Sequence, residues 1–312
     1  MRILVVGAGA IGGYFGARLL EGGSDVTFLL RPRRAEEIRT HGLVIRSPHG
    51  DVAFPAPPVV LADRLTSPFD LILVACKAYD LTEVMDTIGP AVGPRTSILP
   101  VLNGMRHLDE LGARFGAHAV LGGHCMISVA LGAQGAITHY GDLHVLTFGE
   151  LDGSQSPRVA EIARECARAK FTINASTELL QEMWEKWVFI AALAGINSLL
   201  RASVGEIVRA GAADLAMALY EECCAVGRTN GFPSRPPALE RARSILTNAE
   251  LPITASLFKD VEAWRRTESE HIVRDLIARG GADVGERSLL RLAYAHLKAY
   301  EIRRASRPAA HA

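Results

Sequence analysis

A glycine-rich segment near the start of the chain has the spacing of a phosphate-binding loop. The apolar run Ile3–Val6 leads into Gly-x-Gly-x-x-Gly, and sequence compatible with a helix follows as far as Leu20. In this pattern the first glycine allows a tight turn, the second lets a pyrophosphate approach the backbone, and the third lets the helix pack closely on the strand. The N–H groups at the helix N-terminus would face the diphosphate, whereas a merely flexible loop would need neither the strand nor the helix. The predicted dinucleotide contacts are Gly7, Ala8, Gly9, Ala10, Ile11 and Gly12.

The residues after the second predicted strand indicate which dinucleotide binds. Val26–Leu30 is predicted as that strand, and Arg31 follows it. A site that prefers NAD usually places an Asp or Glu about here to bind the ribose 2′-hydroxyl, but the chain has Arg31, Arg33 and Arg34 instead. Guanidinium groups bind a 2′-phosphate bidentately. The pattern therefore favours NADPH, the alternative being that these arginines only solvate a surface loop.

Length and charge are typical of a protein that acts on small molecules. The 312 residues include 34 basic and 34 acidic side chains, so no net charge attracts nucleic acid or an anionic membrane. No uninterrupted apolar run of about 18 residues occurs, and no membrane-spanning segment is predicted. We therefore expect a small-molecule substrate, with neither nucleic acid nor a membrane as a partner.

The cysteines and histidines predict neither disulfides nor a metal site. The five cysteines are an odd number without a Cys-x-x-Cys pair, which is typical of a reducing cytosol. The ten histidines lack the spacing of metal ligands, and His271 is interpreted as an ordinary surface histidine. We therefore expect a cytoplasmic protein without a bound metal.

The first half of the chain alternates strand-like and helix-like stretches, which predicts a doubly wound parallel sheet. After the first two strands, residues 42–58 are rich in turn residues and predict a small hairpin. Later strands are predicted at 71–75, 97–102, 119–123 and 145–149, and a closing helix at 157–168.

From about Glu178 the hydrophobic period is that of a helix. Helices are predicted at 178–197, 203–209, 214–230, 238–248, 256–279 and 287–304. The expected architecture is α/β, with a Rossmann-type, NADP-binding domain over residues 1–175 and an all-α substrate and catalytic domain over residues 176–312. The long apolar helices of the second half could bury the face of a homodimer, or could simply pack on one another.

Four sets of residues follow predicted parallel strands and should meet at one edge of the sheet. They are the loop 7–12, Arg31, Cys76-Lys77 and Asn103-Gly104. Lys77 could contact a cofactor phosphate or ribose, or could be a solvated lysine that opens a helix. Asn103-Gly104 could be an ordinary turn, or the amide could orient a carbonyl or a lysine beside a nicotinamide. A substrate is expected in a cleft between the two domains.

Together these motifs resemble those of the ketopantoate reductase family (2-dehydropantoate 2-reductases). The matching residues in the first half are 7–12, Arg31, 76–78, 103–104, 132–135, 139–141 and 148–150. In the second half they are Trp184-Glu185-Lys186, Ser256 and Arg266-Thr267-Glu268. The resemblance covers nearly the whole chain and implies a two-domain oxidoreductase that reduces the ketone of a 2-oxo acid with NADPH.

The resemblance also implies roles for individual residues. It makes Lys186 the general acid and places Asn103 near the reacting centre. It assigns Ser256 to the carboxylate region of the substrate and Glu268 to the substrate hydroxyl. The implied cofactor contacts are Gly7, Gly9, Gly12, Arg31, Lys77 and Asn103.

The residue types suit ketone reduction. Hydride delivery to a ketone carbon builds negative charge on the oxygen, which needs a proton or a positive donor. Lys186 could supply both if partial burial beside Trp184 and Trp187 brings its pKa towards the working pH.

Each second-half site residue also has a simpler interpretation. Lys186 could be a solvated helix lysine, and Ser256 could be an N-cap. Glu268 could form a surface ion pair with Arg265 or Lys259.

Several positions depart from the family pattern. Many members carry asparagines four and eight residues after the lysine, where this chain has Ile190 and Ala194. The next amide, Asn197, is too far along a regular helix to bond the lysine. Arg274 stands where glycine is common, and Leu102 where glutamine is frequent. Because these positions belong to the substrate pocket, we hypothesise that Ile190 favours a bulkier or less polar 2-oxo acid than ketopantoate.

Three functions are therefore considered. The first is NADPH-dependent reduction of ketopantoate to (R)-pantoate, a precursor of pantothenate and hence of coenzyme A, and the second is reduction of another small 2-oxo acid. The third is a non-catalytic NADP(H)-binding sensor, which would need Arg31 and the glycine loop but not Lys186, Ser256 and Glu268. The joint presence of these three residues favours an enzyme.

Overall fold

The computed structural model describes residues 1–307, which form two sheets and a set of helices. The strands are β1 Arg2–Val6, β2 Asp25–Leu29, β3 Leu43–Arg46, β4 Val52–Phe54, β5 Val59–Val60, β6 Leu71–Val74, β7 Ser97–Pro100, β8 Gly122–Leu131, β9 Ile137–Gly149 and β10 Thr172–Ala175. The helices are α1 Ala10–Glu21, α2 Pro32–His41, α3 Leu81–Ile88, α4 Arg106–Phe115, α5 Pro157–Cys166, α6 Leu179–Leu200, α7 Val204–Arg209, α8 Ala213–Thr229, α9 Pro236–Leu246, α10 Ser256–Glu262, α11 Asp275–Gly280 and α12 Leu289–Ala305.

The chain divides into two compact units. The first contains Met1–Leu102 and His107–Leu180, and the second contains Asn103–Arg106 together with the chain from Gln181 onward. A functional boundary between residues 175 and 176 stays a prediction. Among the helices of residues 1–307, none is both long and apolar enough to cross a membrane.

A parallel sheet with the strand order β5-β2-β1-β6-β7 forms the centre of the first unit. Val6 of β1 pairs with Leu29 on one side and with Val74 on the other. β1 is buried from Ile3 to Val6, and β6 is buried throughout, as expected for strands that are covered on both faces. The expected doubly wound parallel sheet is therefore confirmed, as is the helical second half.

A second sheet has the order β10-β9-β3-β4, with β8 paired to β9. β3 and β4 form the small hairpin predicted for residues 42–58. The strand predicted at 119–123 begins instead at Gly122 and runs to Leu131, and β9 begins well before the predicted Val145. The apolar runs marked only the buried ends of these two strands, because much of the hairpin they form faces solvent.

The single helix predicted over residues 256–279 is wrong, because the chain is broken between α10 and α11. Trp264 has a φ of +55°, and a π-helical turn at Glu270–Arg274 precedes α11. The Tyr300 hydroxyl donates to the Arg265 carbonyl (2.7 Å), and the Thr267 N–H donates to the carboxylate of Glu301 (2.7 Å). Side chains of α12 thus satisfy backbone groups that a continuous helix would have paired internally.

Candidate active site

The glycine loop has the backbone geometry that its sequence predicts. Gly7 has a φ of +89°, where glycine is favoured, and its N–H donates to the Leu29 carbonyl (3.1 Å). A Cβ on Gly12 would lie 2.1 Å from the Gly7 carbonyl oxygen, so the helix packs here only because the side chain is missing. A Cβ on Gly9 would meet nothing within 4 Å. The turn and the close packing are therefore confirmed, and the backbone at Gly9 is open to a ligand.

The N-terminus of α1 supplies hydrogen-bond donors beside this opening. Gly9 precedes the helix in an extended conformation, and the Gly13 N–H donates to the Gly9 carbonyl (2.9 Å). The N–H groups of Ala10–Gly12 therefore lie in the first turn, where a helix offers no carbonyl partner. Such groups and the helix dipole favour an anion. The local structure fits the diphosphate of a dinucleotide.

Arg31 follows β2, as predicted, and has two acidic neighbours. Its guanidinium lies 3.2 Å from the Asp80 carboxylate and 2.5 Å from the Glu83 carboxylate. The hydrogen bond with Asp80 is the largest of several effects that raise the pKa of Arg31. The side chain remains 54% exposed, so an anionic ligand can reach it. A 2′-phosphate would share Arg31 with the two carboxylates.

Arg34, by contrast, holds the glycine loop in place. Its Nε donates to the Ala8 carbonyl and a terminal nitrogen donates to the Gly135 carbonyl, both at 2.9 Å. The other terminal nitrogen pairs with Glu37 at 2.7 Å. Arg34 therefore does more than solvate a loop, because it ties the glycine loop to the turn that precedes β9.

Lys77 follows β6 and opens a short 3₁₀ turn, Ala78–Asp80. Its carbonyl accepts the Asp80 N–H at 2.9 Å, and its side chain is half-buried. Both interpretations of Lys77, a cofactor contact and a lysine that opens a helical turn, are compatible with this position. The turn also carries Asp80, the partner of Arg31, and so connects the ends of β2 and β6.

Lys186 lies on α6, and the tryptophans that flank it in the sequence are buried. Trp184 is 3% exposed and Trp187 is 1% exposed, with 4.9 Å between their ring centroids. The Trp187 Nε1 donates to the Ile272 carbonyl at 2.9 Å, and Lys186 itself is half-buried. The two flanking indole rings are thus buried, and desolvation of the Lys186 amine stays a prediction.

Glu185, the residue before the lysine, fixes α6 to the segment that precedes α9. Its carboxylate accepts the Arg235 Nε (2.7 Å), the Arg235 backbone N–H (2.9 Å) and the Gln181 amide (3.0 Å). Burial alone would raise the pKa of Glu185, but the hydrogen bonds from Arg235 and Gln181 outweigh it and lower the pKa. The Trp-Glu-Lys motif is thus anchored on the glutamate side of Lys186 as well as through Trp187.

Within the second unit, Asn103-Gly104 lie against the segment that contains Glu268. Gly104 has a φ of +82°, and a Cβ there would lie 2.9 Å from the His271 carbonyl oxygen. The Glu268 carbonyl accepts the His271 N–H at 3.0 Å. Glu268 is 8% exposed and His271 is 6% exposed, so the alternative of a surface ion pair for Glu268 and the interpretation of His271 as a surface histidine are wrong.

Three of the predicted site residues are therefore carried by elements that contact one another. The segment from Glu268 to Ile272 is held by Trp187 on one side and packs against Gly104 on the other. The elements that bear Lys186, Asn103 and Glu268 meet in the second unit.

Ser256 is the first residue of α10 and is exposed. The N-cap is Ala255, so the alternative that Ser256 caps the helix is wrong. The Ala255 N–H donates to the Asn197 Oδ1 (2.9 Å), and the Asn197 Nδ2 donates to the Ala202 carbonyl (2.8 Å). Asn197 is fully buried and has a structural role, which is to hold the start of the helix that presents Ser256.

The positions that depart from the family pattern differ in accessibility. Ile190 keeps part of its surface exposed and lies one turn beyond Lys186 on the same face of α6. Ala194 is 1% exposed and Leu102 is 5% exposed, whereas Arg274 is exposed in the π-helical turn. Of the two positions that replace asparagines, Ile190 is the one that can touch a ligand.

The structure also gathers three histidines that sequence spacing missed. His49, His139 and His144 each place one ring nitrogen within 4.8 Å of the other two. Two of them lie on β9 and the third lies in the β3–β4 turn, so pairing of β3 with β9 brings them together. The expectation of no metal site depended on local spacing, which cannot detect ligands from different strands.

The comparisons with known proteins cover nearly the whole chain. The family model "Ketopantoate reductase PanE/ApbA" matches residues 3–153, and its C-terminal counterpart matches residues 178–301. The uncharacterized oxidoreductase YkpB of Bacillus subtilis is 36% identical over 96% of this chain and 99% of its own length. The 2-dehydropantoate 2-reductase of Geobacter metallireducens has a TM-score of 0.87 at 28% identity, covering 96% of this chain and 99% of that one. D-mandelate dehydrogenase with NADH and anilino(oxo)acetate (TM-score 0.86, 19% identity, 98% and 100% coverage) shows a shared fold alone.

Proposed function

The chain belongs to the ketopantoate reductase family, and we propose that it reduces the ketone of a small 2-oxo acid with NADPH. The first candidate substrate is 2-dehydropantoate, which would give (R)-pantoate. The observation that carries the proposal is the meeting, within the second unit, of the elements that bear Lys186, Asn103 and Glu268. Cytoplasmic location and a homodimer stay predictions.

Three features of the first unit support the proposal of a phosphorylated dinucleotide. The α1 N-terminus and the open backbone at Gly9 suit the diphosphate. Arg31 suits the 2′-phosphate, because it is exposed and positively charged where an acid would select NADH. Lys77 is proposed as a further cofactor contact. When bound, NADPH would supply the hydride for the ketone carbon.

Lys186 is proposed as the general acid. The oxygen of a ketone gains negative charge on reduction, and the Lys186 ammonium group can donate the proton it needs. The Glu185–Arg235 pair and the Trp187–Ile272 hydrogen bond fix the helix on both sides of the lysine, so its backbone is held in place. Pre-organisation of this kind raises the efficiency of a proton donor.

The remaining site residues would bind the substrate. We propose that Asn103 orients the carbonyl, Glu268 binds a hydroxyl group and Ser256 contacts the carboxylate region. Glu268 is nearly buried, so a substrate hydroxyl that binds its carboxyl group would form a hydrogen bond shielded from solvent.

Ile190 supports a second candidate, an acid less polar than ketopantoate. Its partly exposed aliphatic side chain lies one helical turn from Lys186, where an asparagine would offer an amide. Contact between an apolar side chain and an alkyl or aryl group of the substrate is favourable, because it removes apolar surface from water. The same side chain cannot form a hydrogen bond with a substrate hydroxyl. A branched or aromatic 2-oxo acid is the corresponding substrate class.

Steady-state kinetics with a panel of 2-oxo acids would test both candidates. Ketopantoate, a branched aliphatic acid and an aromatic acid are each reacted with NADPH and with NADH, and loss of nicotinamide absorbance is followed. We expect turnover that depends on NADPH. A strong preference of the wild type for ketopantoate would refute the second candidate, and NADPH binding without turnover of any acid would indicate the sensor.

A substitution at Ile190 tests the structural reason for the preference. Ile190→Asn should raise kcat/KM for ketopantoate relative to the aromatic acid by about 10-fold, since one hydrogen bond contributes about 1–1.5 kcal/mol. Leu200→Asn, at an exposed position on the same helix, is the matched control and should leave the ratio unchanged. Equal effects of the two substitutions would exclude contact between Ile190 and the substrate.

A further inference from the structure

A cluster of three imidazoles in the first unit lies outside the residues used for reduction. His49 belongs to the turn between β3 and β4, and His139 and His144 belong to β9. The rings of His49 and His144 stack with centroids 3.9 Å apart, and the centroids of His139 and His144 are 5.6 Å apart. One ring nitrogen from each residue lies within 4.8 Å of the others, and the three rings are stacked with interplanar angles of 16° to 21°.

Backbone carbonyls fix which nitrogen is available on two of the rings. The His49 Nε2 donates to the Asp142 carbonyl, and the His139 Nε2 donates to the Leu143 carbonyl, both at 3.0 Å. Because a carbonyl only accepts, each Nε2 carries the proton and each Nδ1 keeps its lone pair. Histidines that bind metals usually donate their second ring N–H to a carbonyl or carboxylate in this manner.

Hydroxyl groups and burial complete the surroundings of the cluster. The Tyr14 hydroxyl lies 2.8 Å from the His144 Nδ1, and the Ser47 hydroxyl lies 3.0 Å from the His139 Nδ1. His139 is 3% exposed and His144 is 9% exposed. Desolvation lowers the pKa of both rings, that of His144 to about 4. Two of the three candidate ligands are thus buried, and each lies beside a hydroxyl group.

The nearest positive charge is offset within the same unit. The Arg18 guanidinium lies beside the Tyr14 ring, but it pairs with Glu21 at 2.8 Å and donates to the Gly50 carbonyl at 2.6 Å. Its repulsion of a cation in the cluster is therefore reduced. The Asp142 carboxylate, next to the carbonyl that orients His49, adds a negative charge near the cluster.

We propose that His49, His139 and His144 bind a divalent transition-metal ion of the zinc type, with water in the fourth position. Metal–nitrogen bonds of about 2.0–2.1 Å in a tetrahedron place the nitrogens about 3.3 Å apart. The ion would therefore draw the three nitrogens together and turn His49, the most accessible ring, out of its stack on His144, so that the lone pairs converge. The ion would replace the Ser47 hydroxyl (3.0 Å) and the Tyr14 hydroxyl (3.4 Å) at the His139 Nδ1. Three nitrogen ligands favour this class over Mg²⁺ or Ca²⁺, which prefer oxygen.

The proposed role is structural, because the ion would join the β3–β4 turn to β9 across the second sheet. Because the ion would bind the folded protein and not the unfolded chain, it would raise the free energy of unfolding with the logarithm of the metal concentration. The site does not share a residue with the glycine loop, Arg31, Lys77 or Lys186, so NADPH oxidation should not require the ion. The proposal is thus independent of the proposed function.

Zinc titration of the full-length protein, without an affinity tag, would test the site. Competition with a chromophoric chelator should give one Zn²⁺ per chain, and Co²⁺ should give the visible absorption of a tetrahedral nitrogen site. His49→Ala and His144→Ala should each weaken binding by on the order of 100-fold, since structural zinc affinity is shared among only a few ligands. His41→Ala, at the exposed end of α2, is the matched control and should bind as the wild type does.

Thermal unfolding provides a second readout, which does not require substitution of a buried histidine. Zn²⁺ should raise the Tm of the wild type and of His41→Ala, and should not raise that of His49→Ala, whose accessible position makes misfolding a minor concern. Absence of a stoichiometric site in the wild type would overturn the proposal. Equal zinc affinity in the wild type, His49→Ala and His144→Ala would overturn it as well.

Discussion

The ion pairs of Arg31 predict how the preference for NADPH over NADH responds to charge. Arg31 is the proposed partner of the 2′-phosphate, but Asp80 and Glu83 already bind its guanidinium. Replacing Arg31 by alanine removes the phosphate contact and also leaves two carboxylates near the phosphate. Replacing Asp80 by asparagine removes one competitor and keeps the shape of the side chain. The two substitutions should therefore change NADPH affinity in opposite directions.

The expected magnitudes follow from the type of each contact. A hydrogen bond to a charged group contributes about 1.5–3 kcal/mol, so Arg31→Ala should weaken NADPH by about 10- to 150-fold. NADH lacks the phosphate, and its affinity should change by less than about 3-fold. An exposed ion pair is worth about 0.2–1 kcal/mol, so Asp80→Asn should tighten NADPH by about 1.5- to 5-fold. Asp80 is 23% exposed, which makes the upper part of that range the better expectation.

Equilibrium titration followed by nicotinamide fluorescence would measure both affinities for each variant. Arg39→Ala is the matched control, because it also removes one positive charge. Arg39 lies on the adjacent helix α2 and pairs with Glu36. This substitution should change either affinity by less than about 2-fold, since exposed pairs contribute little. Equal weakening of NADPH and NADH by Arg31→Ala would refute the phosphate contact. Weaker NADPH binding by Asp80→Asn would show that this carboxylate is a ligand group.

Other substitutions probe the general acid, the glycine loop and a buried ion pair. Lys186→Ala should lower kcat by about 10²-fold or more and leave NADPH affinity unchanged, because a general acid typically raises the rate by about 10²- to 10⁴-fold. An equal loss of NADPH affinity would instead make Lys186 a cofactor contact. Gly12→Ala should destabilise the fold by about 3 kcal/mol or more in urea unfolding, unlike Gly89→Ala, whose Cβ meets nothing within 4 Å. The lowered pKa of Glu185 makes its pairing with Arg235 stabilising above the unfolded pKa of about 4.3. The stability difference between wild type and Glu185→Gln should therefore shrink as pH falls below that value, and a constant difference would contradict the pairing.

The nucleotide half could be predicted because its geometry depends on neighbouring residues. Gly7, Gly9 and Gly12 lie within six consecutive positions. The tight turn, the open backbone and the close helix packing at these positions each depend on the missing Cβ. The parallel strands could be located for a similar reason, since a strand buried on both faces appears as a short apolar run. Features of this kind need no knowledge of the rest of the chain.

Other features depend on residues that are distant in the sequence. The break before Glu270 is stabilised by Tyr300 and Glu301, which no periodicity in residues 256–279 could indicate. The histidine cluster depends on the pairing of β3 with β9. The contact of Gly104 with His271 likewise crosses most of the chain and brings Asn103 to the segment of Glu268.

In two of the motifs, burial distinguishes a residue that is proposed to bind a ligand from a neighbour that holds the site together. Arg31 and Arg34 are three residues apart, but Arg34 is 14% exposed and bound to two carbonyls, whereas Arg31 is 54% exposed and faces solvent. The same division occurs at Glu185, which is 8% exposed and paired with Arg235, next to Lys186. A sequence motif gives both members of such a pair equal weight, because it does not show the tertiary contacts of either side chain. The tertiary contacts distinguish them, because Arg34 and Glu185 are bound to groups that hold the loop and the helix, whereas Arg31 keeps more than half of its surface accessible to a phosphate. Substitutions that compare the two members of one motif therefore distinguish a role in ligand binding from a role in holding the site together.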